Sequence, residues 1–256
     1  KKYNYVILNA FYLAISSYFS PNFGVFSIYF FLHFLFYYHF TQKLFLYILI
    51  NILLAYPAFH YLFVMDVPFL TSSTTPASHF SDNEFFSFSN FSNKMLIIVS
   101  IIFFYYLPLL FPKKINLIFK TEKNFYFIIA IFLLVLTNII FFNYKVVFTG
   151  GGIFFLASNY IFDNNYLFYL VAFFAYFIFF IKFFNYNNLS IIILLIITNP
   201  QLTIYHKYYD PLLVFLFFTI FDFGIKKEYF NMKNISLWYL FYMFLISISF
   251  YKMYYI

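Results

Sequence analysis

From Tyr3 through Gln42 the chain contains no Asp, Glu, Lys or Arg. Similar uncharged intervals recur to its end, and the few charged residues fall between them. Only 9% of the 256 residues are charged, against roughly 25% in an ordinary soluble domain. A further 65% are hydrophobic and 30% aromatic. A surface made from this mixture could not be wetted, so lipid is the expected solvent for most of the chain.

Apolar runs of spanning length number about nine: Tyr5–Phe19, Phe23–Phe40, Leu44–Met65, Met95–Phe111, Phe125–Phe142, Tyr166–Phe184, Ser190–Ile204, Pro211–Ile225 and Ile235–Tyr255. The expected fold is therefore all-α, a single polytopic transmembrane helical bundle over residues 1–256. The lysines test this reading independently, because cytoplasmic connections collect positive charge. Lys113, Lys114, Lys120 and Lys123 share one connection, and Lys226, Lys227 and Lys233 another. Lys1, Lys2 and Lys43 precede the first and third runs. With these on the cytoplasmic side, the N-terminus is cytoplasmic and the C-terminus lies outside. The chain opens on Lys1 without Met, and it is expected to be incomplete at that end. Such a protein is integral and multi-pass, in the plasma membrane of a bacterium or the endoplasmic reticulum of a eukaryote.

The net charge of +7 comes entirely from Lys, with no Arg. The Lys positions at run ends follow topology and give no reason to expect nucleic acid. Any phosphate must then be held by Lys, His, Tyr or backbone N–H groups, since no guanidinium fork is present. The abundance of Phe, Tyr, Ile, Asn and Lys matches A/T-rich codons and needs no aromatic-lined site. The absence of Cys excludes thiolate chemistry and Cys-ligated zinc.

Three polar segments fall on the outer side, near residues 66–94, 143–165 and 199–210. The first holds Asp66 at the end of a run, where a carboxylate is a functional candidate by default. It also holds His79, Asp82 and Glu84, which read best as a solvated loop. The second contains Gly150, Gly151 and Gly152, three of the five glycines. A helix starting at Ile153 would present free N–H groups to a phosphate, with Lys145 nearby. The following "IFFLASNYIF" is too short to span and reads as re-entrant or as an interfacial helix behind a flexible loop. The third, "NPQLTIYHKYYDPLL", places Tyr205, His206, Lys207, Tyr208, Tyr209 and Asp210 at the membrane surface. His206 and Asp210 share a helical face. A Tyr-rich interfacial belt with snorkelling charges accounts for the same residues. Asp222 is expected to be held by Lys226 or the interface, and His33 and His39 to be packing residues.

A many-span helical chain with outer polar loops and a His/Lys/Tyr/Asp cluster beside a late span resembles the C-type membrane glycosyltransferases that use lipid-phosphate sugar donors. The resemblance is architectural. It implies transfer of a sugar from a polyprenyl-phosphate donor to an acceptor at the outer side. It further implies that Asp66, or an acid upstream of Lys1, acts as proton acceptor, and that Asp210 orients His206 or Lys207 or ligates a divalent cation. Lys145, Gly150, Gly151, Gly152, His206 and Lys207 would bind the donor phosphate, and Tyr205, Tyr208 and Tyr209 would contact substrate. The family's acidic first outer loop is missing, since "SPNF" at 20–23 carries no carboxylate. A secondary transporter and a non-enzymatic membrane subunit are the alternatives.

Overall fold

The computed structural model describes residues 5–19, 22–60, 88–110, 123–145, 150–182, 185–197, 204–206, 209–222 and 231–255. Asp66, His79, Asp82, Glu84, Lys207 and Tyr208 lie outside them. The described residues are all-helical, without a strand. The helices are α1 (Tyr5–Phe19), α2 (Asn22–Tyr38), α3 (Gln42–Phe59), α4 (Phe88–Leu110), α5 (Lys123–Ile140), α6 (Gly152–Phe162), α7 (Tyr166–Tyr176), α8 (Tyr186–Ile197), α9 (Asp210–Thr219) and α10 (Met232–Tyr255). A π-helical turn, Phe177–Lys182, continues α7.

Each long apolar run of the sequence became a helix, because such runs offer no competing partner for the backbone. One of these helices, α4, is long and apolar enough by length and composition to cross a membrane. Most of the other apolar helices are shorter, and two of them, α6 and α9, have only 11 and 10 residues. They are about half the length of α4.

The bundle is built around α4. It packs against α5, α6, α7, α8, α9 and α10 and is buried on nearly every side. Its aromatic residues Phe103, Phe104, Tyr105 and Tyr106 meet rings from five other segments. Pro108 lies inside α4. Pro112, four positions on in the sequence, has no N–H to offer the Pro108 carbonyl. The Trp238 indole of α10 donates to it at 2.9 Å.

Helices α1–α3 form a group of their own around Val6, Ala10 and Tyr47. Polar side chains lace it together: the Tyr47 hydroxyl donates to the Ser27 carbonyl at 3.0 Å, and Asn51 donates to the Tyr47 carbonyl at 2.8 Å. His33 stacks between Tyr29 and Tyr37, the packing role expected for it.

The exterior is apolar. Phe36 is 80% exposed and Ile140 74%, with Ile52, Leu53, Leu133 and Leu240 also outward, while Asn90, Ser92, Asn93, Lys94, Asn138, Ser158 and Asn188 are buried. Large apolar side chains exposed in such number are not what water selects.

Candidate functional site: a joint between residues 143–152 and 204–209

The sequence reading ended the first outer loop at Lys94, but α4 begins earlier, at Phe88. Asn90, Ser92, Asn93 and Lys94 are therefore buried helical residues. The Asn93 amide donates to Asn143 Oδ1 at 2.8 Å and accepts from the Asn143 backbone N–H at 3.1 Å. That reciprocal pair fixes the end of α5 beside the start of α4.

From Asn143 the chain dips into the bundle. A Cβ on Gly152 would lie 3.0 Å from Ile101 and 3.9 Å from Ile97. These residues are four and eight positions beyond Asn93, about 6–12 Å along α4. Helix α6 then returns. The Ser158 hydroxyl donates to the Asn164 carbonyl at 2.6 Å and accepts from the Phe168 N–H at 3.2 Å, which closes an α6–α7 hairpin. Phe168, in the first turn of α7, packs on Phe142 at the end of α5. The hairpin turn thus lies at the Asn93–Asn143 end of the bundle. Asp163 takes the left-handed conformation there (φ 52°), and Asn164 caps the first turn of α7. Helix α6 starts at Gly152, one residue before the expected Ile153.

The second short helix approaches from the other side. Helix α8 stops at Ile197, and α9 starts only at Asp210. Ile204 lies between them, bonded into the joint. It accepts from the Gly151 N–H at 2.8 Å, and its own N–H is 3.3 Å from the Tyr144 hydroxyl oxygen, which accepts. His206 reaches further along α4, with its ring 5.3 Å from that of Phe104 and 5.0 Å from that of Tyr105. Phe104 is eleven residues beyond Asn93, about 16 Å along the helix. Past α9, Asp222 meets the start of α8: its backbone exchanges two hydrogen bonds with Asn188, and its carboxylate accepts from Asn185 at 3.4 Å. Those asparagines, rather than a lysine, hold it among the described residues.

Two expectations change as a result. His206 was expected at the surface, and its ring instead packs against Phe104 and Tyr105 near the middle of α4. The glycines were expected to leave room for a phosphate, and they pack against protein. A Cβ on Gly150 would lie 2.5 Å from the Ile204 carbonyl oxygen, and Gly151 has φ +100° with Phe155 2.4 Å from any added Cβ. The Gly151 N–H is also committed to Ile204.

The remaining candidates divide. Lys145 is exposed, Tyr205 is half-buried, and Tyr209 is buried at the N-cap of α9. The backbone of Asp210 opens α9, followed by Pro211 in its first turn. No three His or acidic residues converge among the described residues, so a cation at Asp210 would need ligands from elsewhere in the chain. A crevice of about 160 Å³ between α5 and the π-turn is lined by Ile128, Ile129, Ile131, Phe132, Phe173 and Phe177 and suits only hydrocarbon.

Sequence reasoning missed Asn90, Asn93, Lys94 and Tyr144. The available signal was the spacing 90, 94, 97, 101, which continues one helical stripe backward from the apolar run into "NFSNK".

No protein-family model matches the chain, and neither does any curated protein or solved structure.

Proposed function

We propose that the chain is a multi-pass integral membrane protein of about nine spans that transfers a sugar from a polyprenyl-phosphate donor at its outer side. The apolar exterior supports the membrane reading. So does the placement of α6 and α9, short helices whose irregular flanks are covered by protein, the condition under which such backbone is tolerated inside a bilayer.

One observation carries the choice of activity. The two segments expected to share the donor phosphate are sixty residues apart in sequence and meet through Gly151, Ile204 and Tyr144. This contact, with His206 two residues beyond Ile204, supports a site shared by the two segments. In this reading Asp66 takes the proton from the acceptor hydroxyl as its oxygen attacks the anomeric carbon, and Asp210 orients His206 or Lys207. The bond from that carbon to the phosphate oxygen breaks, and the lipid phosphate leaves with the electron pair. His206 would donate a hydrogen bond to the leaving phosphate, and Lys207 would supply a full charge.

The test uses the purified protein in vesicles with a labelled sugar on a short polyprenyl phosphate. Asp210→Asn and Lys207→Gln should insert normally and lose transfer by roughly tenfold or more. Transfer at the wild-type rate in both variants would sink this assignment of roles. A specific observation favours a second reading. Two half-helices that begin inside the bundle are also how secondary transporters build a substrate site. Movement of an intact substrate into sealed vesicles, with no bond cleaved, would select that alternative.

A further inference from the structure

Helices α5 and α7 run antiparallel. Phe142, at the end of α5, packs on Phe168 in the first turn of α7, and further along Phe132 meets Phe173 with ring centroids 5.9 Å apart. Nine positions from that contact, in opposite chain directions, stand two lysines: Lys123 opens α5, and Lys182 closes the π-turn that continues α7. Both therefore mark one end of the helix pair, the end away from Asn143. The crevice of about 160 Å³ lies between that contact and the lysines, with Ile128 five positions from Lys123 and Phe177 five positions from Lys182. On α5 that distance is about 7–8 Å. The crevice opens to the exterior, since Ile129 and Phe132 in its wall are 39% and 45% exposed. Helix α5, α7 and the π-turn contain no acidic residue. The sequence leading into α5 carries Lys113, Lys114 and Lys120 beside one acid, Glu122. Asp222, near the start of α8, is engaged by Asn185 and Asn188.

We propose that this crevice seats one acyl chain of an anionic phospholipid from the inner leaflet, with the lipid phosphate at the level of Lys123 and Lys182. This rests on the membrane part of the reading above and is independent of sugar transfer. An apolar space of about this size stays dry and takes a guest the size of benzene, the bulk of a short stretch of one hydrocarbon chain. The exposed rim lets such a chain enter sideways from lipid. Its headgroup then falls one to two turns away, where lysines at the cytoplasmic ends of paired helices attract negative charge. A phosphatidylcholine head brings its own cation and gains less. The sugar donor fits less well, because its phosphate is assigned to the outer side and only the far end of its chain would reach this crevice.

The test measures lipid binding to the full chain in a neutral detergent, by counting bound lipids in native mass spectrometry. Phosphatidylglycerol is titrated against phosphatidylcholine and against glycerophosphoglycerol, the same headgroup without chains. Wild type should bind one phosphatidylglycerol saturably, about tenfold or more tighter than phosphatidylcholine, and should not bind the bare headgroup. Lys123→Gln with Lys182→Gln should weaken phosphatidylglycerol by about twentyfold, roughly fivefold per lysine, and leave phosphatidylcholine unchanged. Lys145→Gln, beyond the other end of α5, should stay within about twofold of wild type. Ile129→Trp fills the crevice from its exposed rim and should abolish the saturable binding, and it decides the matter if the double lysine variant fails to fold. Wild-type affinity for phosphatidylglycerol in Ile129→Trp or in the folded lysine variant overturns the proposal. So does equal binding of the two lipids, or binding of the bare headgroup as tight as that of the lipid. Tighter binding of farnesyl phosphate than of phosphatidylglycerol would give the crevice to the donor's chain and overturn it as well. Sugar transfer is not read in this experiment, so a chain that binds phosphatidylglycerol in this way and transfers no sugar loses only the transferase assignment.

Discussion

The two halves of α4 are buried to the same degree and held by different forces. The outer half, Phe88–Ser100, hides Asn90, Ser92, Asn93, Lys94 and Ser100. It is fixed by the Asn93–Asn143 pair, and Gly152 approaches where the two halves meet, at Ile97 and Ile101. The inner half hides Phe103, Phe104, Tyr105, Tyr106 and Leu109, held by ring packing and the single Trp238 bond. Apolar packing tolerates small shifts, whereas hydrogen bonds and a glycine contact fix rotation and depth. Buried polar groups are costly in an apolar surrounding and tend to persist where they serve a function. The contrast therefore locates the working region at the outer half and at the joint just below it.

The comparison breaks most violently at the joint. Gly150→Ala puts a methyl group against the Ile204 carbonyl, which is backbone and cannot swing away. A loss of at least about 3 kcal/mol is expected, or no folded protein at all. Gly24→Ala is the control, because the nearest atom to its Cβ would be 3.8 Å away. Expression and thermal melting in detergent compare the two. Equal stability of both variants would mean that Gly150 does not pack as described.

The two halves of α4 can then be weighed directly. Asn93→Leu removes both bonds to Asn143 and should cost about 2 kcal/mol. Trp238→Phe preserves a ring against α4 and loses only the bond to the Pro108 carbonyl, for about 1 kcal/mol. If Trp238→Phe proves the more damaging in thermal melts, the contrast between a polar outer half and an apolar inner half is wrong.

Much of the framework was legible from apolar runs alone. Tyr5–Phe19 was read with the same bounds as α1, and the start of α6 was off by one residue. Hydropathy failed where polar residues are buried. The Ser/Thr/Asn-rich run before Met95 reads as solvated loop, yet its last turns continue α4. Likewise "TIYHKYYD" reads as surface, because a sequence reports polarity and not depth. Ile204 was assigned to the end of a span, and its carbonyl instead bonds Gly151 in a break between two helices. Such a break depends on a partner 53 residues earlier, which no local pattern reveals.

The central claim is that the bundle spans a membrane and that α6 doubles back within it. Its most direct test is single-cysteine labelling with a membrane-impermeant reagent, unambiguous in a chain with no cysteine of its own. Lys145, Asp163 and Lys233 are all exposed and suit substitution. Cysteines at 145 and 163 should label from the same face, because α6 returns to the side it left, and cysteine at 233 should label from the opposite face. Labelling of 145 and 163 from opposite faces would contradict the returning path, and labelling of all three from one face would contradict the spanning bundle.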